Sequence, residues 1–224
     1  MNIDQSYTKG KFIKECKNRF LCEVKLNSEV IECYVPSASR LGNYINLVGK
    51  EVLLKENKGN TLRTKYSLVA VKHYSSYILL NLNYANLLVR EYLEKNYKYD
   101  HLYQEKVIDG YKTDFVLLSD NNNILVEAKG IISVEKDIIF PSVYSGRAVK
   151  QLELLIKLLE KGYEVNYFFV SLSPTVKNVL INPCDVEYRK LLRECINKGM
   201  NVMGLRCHLQ KDNVQIFNDL NIVI

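Results

Sequence analysis

T-D-F-V-L-L-S-D-N-N-N-I-L-V-E-A-K-G, residues 113–130, is two short apolar runs joined by a polar turn. Each run carries charge that a purely structural hairpin does not need: Asp114 in the first, Glu127 and Lys129 in the second. With Asn121 and Asn122 as the central residues of a tight primed turn, a role that suits the tolerance of Asn for left-handed backbone, Asp120 lies opposite Asn123. Counting outward, Val116 faces Glu127 and Asp114 faces Lys129. Side chains alternate faces at a period of two. Leu125, Glu127 and Lys129 therefore share one face with Asp114, while Val126 and Ala128 take the other. A slip of one residue would separate the charges.

Around this hairpin the chain changes texture. From about residue 11 to 80 it reads as strands, F-I-K-E-C, R-F-L-C-E-V-K-L, E-V-I-E-C-Y-V, E-V-L-L-K-E and Y-S-L-V-A-V, broken by Asn, Ser and Gly turns. Five short strands so spaced predict a small barrel. From residue 82 the pattern turns helical, with Ala85, Leu88, Val89, Tyr92 and Leu93 on one stripe. A boundary near residue 80 follows, giving a barrel domain over 1–80 and a second domain over 81–224. The second domain reads helix, three strands (about 102–108, 113–118 and 123–129), helix, strand, helix and a last strand pair. Ser145 is placed to cap the second helix and Gly162 to end it. The fold class is all-β followed by α/β with a mixed sheet.

At 224 residues and 47% hydrophobic content the chain can bury a large core. Lys and Arg number 31 against 25 Asp and Glu, a net charge of +6 that suits a polyanionic partner. The six cysteines form no C-x-x-C pair, which fits reduced thiols in the cytoplasm. The opening residues lack the apolar core of a signal peptide, and no run reaches the ~18 apolar residues of a membrane span. A cytoplasmic protein without a membrane partner is expected. His73, His101 and His208 are scattered and predict no zinc site. Neither a P-loop, a dinucleotide fingerprint nor a G-x-S-x-G elbow is present. Cys184 would be a nucleophile only with a histidine beside it.

Two carboxylates converging at the end of a sheet offer hard oxygens to Mg²⁺ or Mn²⁺, which takes one or two such groups and keeps waters. The expected metal ligands are Asp114 and Glu127. Lys129 beside them would orient or deprotonate water for phosphodiester hydrolysis. Glu105 on the preceding strand and Glu91 on the first helix would complete the catalytic set. The bland reading is that such residues are solvated edge charges that discourage aggregation.

Arg147, Lys150 and Gln151 open the second helix at spacings that share a face. With the helix N-terminus they suit phosphate, or else form a solvated polar face. In the barrel Arg19, Arg40, Lys50, Lys55, Lys58, Arg63 and Lys65 interleave with Tyr34, Tyr44 and Tyr66. That is the composition of a groove that contacts phosphate and stacks bases.

The element order around Asp114 and Glu127-x-Lys129 is similar to the common core of the PD-(D/E)xK nucleases. Over nearly its whole length the chain also resembles the sugar fermentation stimulation protein A family, in K-N-R-F-L-C-E-V, V-P-S-A-S-R-L, K-T-D-F-V-L-L, V-E-A-K-G, F-P-S-V-Y-S-G-R and D-V-E-Y-R-K-L-L. That resemblance implies an OB-like barrel followed by a nuclease-like domain, DNA binding, a role in sugar use, and Asp114, Glu127 and Lys129 as the catalytic set. Arg40 and Arg147 match the family's motif arginines. Ser37, Ala38, Ser39, Gly130, Ser142 and Ala148 depart from the residues usual at their positions.

Two functions stand at this point. One is a Mg²⁺- or Mn²⁺-dependent nuclease acting on DNA or RNA. The other is a DNA-binding regulator of sugar (maltose) metabolism whose nuclease-like site is unused. The oligomeric state is open, a homodimer included.

Overall fold

The computed structural model describes residues 7–36, 40–57, 63–119, 123–210 and 213–224. Its first part is built from β1 (Thr8–Glu15), β2 (Leu21–Leu26), β3 (Glu29–Tyr34), β4 (Glu51–Glu56) and β5 (Tyr66–His73), followed by β6 (Ser76–Leu79). Neighbouring strands run β3-β2-β1-β4-β5, and β5 closes onto β3 through Cys33–Tyr66 and Tyr34–Ser67. This is a closed five-stranded barrel of the OB type, with β6 added to the outer edge of β5. Alternation dictates its interior: Phe12, Cys22, Val24, Cys33, Leu54 and Leu68 point in and are buried.

The second part begins with α1 (Asn83–Asn96), then β7 (His101–Gln104), the small hairpin β8 (Val107–Ile108) and β9 (Tyr111–Lys112), β10 (Phe115–Leu118), β11 (Asn123–Ile131) and β12 (Asp137–Phe140). It continues with α2 (Gly146–Glu160), β13 (Glu164–Ser171), β14 (Asn178–Ile181), α3 (Val186–Asn197), β15 (Asn201–Gln210), β16 (Asn213–Phe217) and β17 (Asn221–Val223). The main sheet has the order β16-β15-β13-β11-β10-β7, with β11, β13 and β15 parallel and the outer pairings antiparallel. It is the mixed sheet expected. Beside it lies a three-stranded parallel sheet, β12-β14-β17, which the sequence reading lacks.

α2 and α3 start where their caps are. Ser145 Oγ accepts from Ala148 N at 3.2 Å, and Asp185 Oδ1 accepts from Tyr188 N at 3.1 Å. Gly162, at φ +89, ends α2.

The main sheet separates two cores. On one face Phe115, Leu117, Val126, Phe168 and Val170 join α1 and the barrel interior in one continuous cluster. On the other Val116, Leu125, Tyr167 and Phe169 pack with Leu152 and Leu155 of α2 and Tyr188 and Leu192 of α3. Leu79 N donates to Leu172 O at 3.0 Å, tying the barrel's last strand to the second sheet. Among the described residues no helix is long and apolar enough to cross a membrane.

The hairpin register differs from the expected one by two residues. Val116 pairs with Leu125 rather than Glu127, and Leu118 pairs with Asn123. Asn121 and Asn122, expected at the centre of a tight turn, lie outside the described residues. A shift of two preserves every facial assignment, because the side-chain period is two. The strand expected over 102–108 is also interrupted. Glu105 and Asp109 adopt φ +55 and +49, turning the chain out into the β8–β9 hairpin before it returns as β10.

Candidate active site

β11 runs through the middle of the main sheet, so its centre is covered on both faces and Glu127 is buried. A carboxylate in that position needs partners, and they come from three directions. Tyr111 Oη donates to Glu127 Oε2 at 2.5 Å from β9. Lys129 Nζ donates to Glu127 Oε1 at 2.6 Å from two residues along the same face. Gln151 of α2 donates Nε2 to Glu127 Oε1 at 3.2 Å and accepts from Lys129 Nζ at 2.7 Å. Lys129 Nζ also stands 5.6 Å from the ring centre of Tyr167, the parallel-strand neighbour of Glu127.

Asp114 sits just before β10. The last pair of the ladder is Phe115–Val126, so one step further Asp114 lies across from Glu127. There the side chain replaces the backbone: Asp114 Oδ2 accepts from Ala128 N at 2.8 Å, and Thr113 Oγ1 donates to Val126 O at 2.8 Å. Asn86 of α1 donates Nδ2 to Asp114 Oδ1 at 3.2 Å. The helix is held to the sheet by Ala85, Leu88, Val89 and Leu93, which fixes the side that Asn86 presents. Gly130 permits this approach, since a Cβ there would meet Leu82 Cδ2 at 3.0 Å and Ala85 Cβ at 3.2 Å. Burial first, and then the Glu127 charge, raise the Asp114 carboxyl above its ordinary pKa. Burial and Glu127 also hold the Tyr111 phenol far up, so it acts as a hydrogen-bond donor.

Asn86, Asp114, Glu127, Lys129 and Gln151 line a cleft of roughly 450 Å³ together with Glu105, Lys112, Ser145 and Arg147. Asp114, Glu127, Lys129, Gln151 and Arg147 are thus brought together. Glu105 reaches the rim only, where Lys112 Nζ donates to it at 2.7 Å. Glu91 is not brought in. It follows Asn86 by five residues, about 140° further round the helix, where Lys95 pairs with it at 2.7 Å in a groove shared with residues 213–218. Lys150 is exposed and does not line the cleft, whereas Gln151, expected as a nucleic-acid contact, is a partner of the buried pair.

In the barrel, Arg40 donates to the carbonyls of Cys16 (3.3 Å) and Lys17 (2.9 Å), and so ties two loops together. Arg19 is exposed over the ring of Phe20 at 4.7 Å. Arg63 and Lys65 lie 3.5 and 3.4 Å from Glu32 and Glu56, so strand glutamates offset much of the barrel's positive charge. Lys58, Ser37, Ala38 and Ser39 fall outside the described residues.

Tyr111, Thr113 and Asn86 escaped the sequence reading. The two that flank Asp114 most closely in sequence, in Y-K-T-D, were the ones within reach of it. Among the described residues no three His, Cys, Asp or Glu converge as a metal cluster. The donor set is two carboxylates, the number that suits a cation retaining several waters.

A model of the sugar fermentation stimulation protein RE domain matches residues 83–213, and a model of the N-terminal OB domain of the same family matches residues 15–80. The chain belongs to the sugar fermentation stimulation protein family. A homolog from Aquifex aeolicus is 26% identical over 206 residues, covering 92% of each chain. One from Clostridium botulinum (strain Hall) is 28% identical over 236 residues, covering 100% of each. Among solved structures, the family member from Pyrococcus furiosus, described as a complex with Ca²⁺, superimposes over 100% of both chains with a TM-score of 0.80 at 18% identity. At that identity the likeness is one of fold.

Proposed function

We propose that this protein hydrolyses phosphodiester bonds in nucleic acid with the help of Mg²⁺ or Mn²⁺, at the cleft between α1, the β10–β11 hairpin and the start of α2. The observation that carries this reading is Asp114 beside Glu127. Two carboxylates are packed together, with the ionised form of Asp114 disfavoured by burial and by the Glu127 charge, at the open edge of a cleft rather than on a solvated surface. A divalent cation relieves that repulsion, and hard carboxylate oxygens are the ligands Mg²⁺ takes. The relative from Pyrococcus furiosus is described as a complex with Ca²⁺, a divalent cation that also takes oxygen ligands.

Asp114 and Glu127 would hold the cation, with Asn86, Ala128 N and Tyr111 fixing the directions of their oxygens. Once bound it supplies positive charge against the phosphoryl oxygens and lowers the pKa of water. The chain's own residues do the rest. Lys129, held between Glu127 and Gln151, orients the attacking water by hydrogen bonding and faces the charge that develops on phosphorus oxygens. Arg147, on the first turn of α2, meets the phosphate with the positive end of the helix behind it. The barrel would guide the strand. The six free cysteines, four of them buried, are compatible with work in a reducing cytoplasm.

The test is cleavage of labelled single- and double-stranded DNA and RNA with Mg²⁺ or Mn²⁺, against EDTA and against the Asp114→Asn and Lys129→Ala proteins. Metal-dependent cutting lost in both variants is the expected result. Binding without cutting on all four substrates would overturn it in favour of a DNA-binding regulator of sugar use with an unused nuclease-like site, of which the family's name supplies only the link to sugar.

A further inference from the structure

Beside the carboxylate cleft opens a second cavity of roughly 330 Å³, and the two share Leu82, Gly130, Phe140, Pro141 and Ser145 as lining. Their chemistry changes abruptly across that shared wall. The first carries Glu105, Lys112, Asp114, Glu127, Lys129 and Arg147. Among the described residues the second is lined by no charged side chain: its walls are Ile131, Ile132, Ile138 and Phe140, with Tyr44 also lining it and Asn43 and Ser142 among its polar groups. With a cation on Asp114 and Glu127 adding to Lys112, Lys129 and Arg147, the first suits an anionic group, and a ligand that occupies both is anionic at one end and at the other an uncharged body with apolar faces and polar edges.

We infer that this second cavity seats the base of the nucleotide next to the phosphate held in the carboxylate cleft, with Tyr44 as its stacking platform. The inference rests on the hydrolysis reading above and adds a substrate class to it. A base in a duplex is paired and stacked, and reaching a side pocket costs its unpairing and unstacking. Nucleic acid with an unpaired nucleotide is therefore the substrate, single-stranded or frayed at an end.

The cavity is built jointly. Asn43 and Tyr44 come from the barrel, while the isoleucines, Phe140 and the serines come from the second domain. The barrel loop that supplies Tyr44 is held rigidly. Glu15 accepts from Leu41 N at 2.8 Å and Gly42 N at 3.2 Å, and Tyr44 N donates to Leu41 O at 2.9 Å. Arg40, by gripping the Cys16 and Lys17 carbonyls, anchors the start of the same loop. Arg40 is in this account a positioning residue for Tyr44 rather than a phosphate contact. Such preorganisation lowers the cost of ordering the stack.

The test uses the full-length chain in the Asp114→Asn background, where the strand is not cut, and a single-stranded oligonucleotide carrying 2-aminopurine. Its fluorescence reports stacking independently of hydrolysis. Quenching on binding is expected, kept by Tyr44→Phe and lost in Tyr44→Ala. Tyr44 also packs against the core, so Ile139→Asp gives a second arm, placing a charge at a half-exposed wall residue of the cavity. In parallel, the chain with native Asp114 should cut single strands faster than the blunt duplex of the same sequence, and Tyr44→Ala should lower kcat/KM on the single strand about 5- to 150-fold, the range of ~1–3 kcal/mol for one stacked base. Quenching unchanged in both Tyr44→Ala and Ile139→Asp, no binding at all, or equal cutting of single strand and blunt duplex would overturn the base pocket. Quenching that depends on Tyr44 in a protein that never cuts would remove the hydrolysis reading and leave the pocket standing. Cutting with quenching indifferent to Tyr44 would do the reverse.

Discussion

Lysine–glutamate pairs occur in both halves of the molecule, and they mean different things. On the barrel, Lys14 lies 3.2 Å from Glu23 with the two side chains 61% and 33% exposed. In the second sheet, Lys129 lies 2.6 Å from Glu127 with 16% and 5% exposed, and Gln151 and Tyr111 complete the ring of partners. The first pair is screened and worth little to stability. The second has given up hydration that a hydrophobic pair would not have needed. A charged pair kept in that position at the mouth of a cleft is what the proposed hydrolysis calls for, and the barrel's pairs lie outside that cleft.

Four measurements can break or sharpen that contrast. The largest effect should be on rate: Lys129→Ala is expected to slow metal-dependent cleavage about 10²- to 10⁴-fold, while Lys14→Ala leaves single-turnover rates unchanged. Similar losses in both proteins would erase the distinction between the two pairs. Next is stability without metal. Lys129→Met strands Glu127 as a buried charge and should cost about 3 kcal/mol in urea unfolding, against ~0–1 kcal/mol for Lys14→Met.

The third concerns pH. Burial and Glu127 raise the Asp114 carboxyl above its ordinary value. For an acid raised in the folded state, stability is fullest when the proton is on and is lost as pH rises through the folded-state pKa. Asp114→Asn, which cannot ionise, should therefore melt higher than the native chain in EDTA at about pH 8, by ~2–4 °C for each kcal/mol. The gain should fade on acidification below the ordinary carboxylate range. A variant that melts lower at high pH would mean Asp114 is stabilising as a charge. The smallest effect is expected from Glu91→Gln, which lies outside the cleft; a loss of cleavage comparable to that of Lys129→Ala would bring Glu91 back to it.

Much of this architecture was legible because it depends on local rules. The barrel strands, α2 with Ser145 at its start and the shared face of Asp114, Glu127 and Lys129 all follow from periodicity and capping. The last survived a wrong register only because the error was two residues, an even number. What was not legible depends on long-range placement. Asn86 rather than Glu91 meets Asp114 because the rotation of α1 is set by Ala85, Leu88 and Val89 packing on the sheet. Tyr111 reaches Glu127 because positive φ at Glu105 and Asp109 folds the chain into a hairpin that a strand reading runs straight through. The β12-β14-β17 sheet escaped notice because its strands of four, four and three residues offer too little pattern to read.

The account stands most directly on the single-turnover rate of single-strand cleavage measured across Mn²⁺ concentration for the native chain and for Asp114→Asn. Saturable metal dependence in the native chain, with the rate at saturation reduced at least ~100-fold in the variant, is the predicted result. Equal rates in the two proteins, or no cleavage by the native chain at any Mn²⁺ concentration, would contradict it.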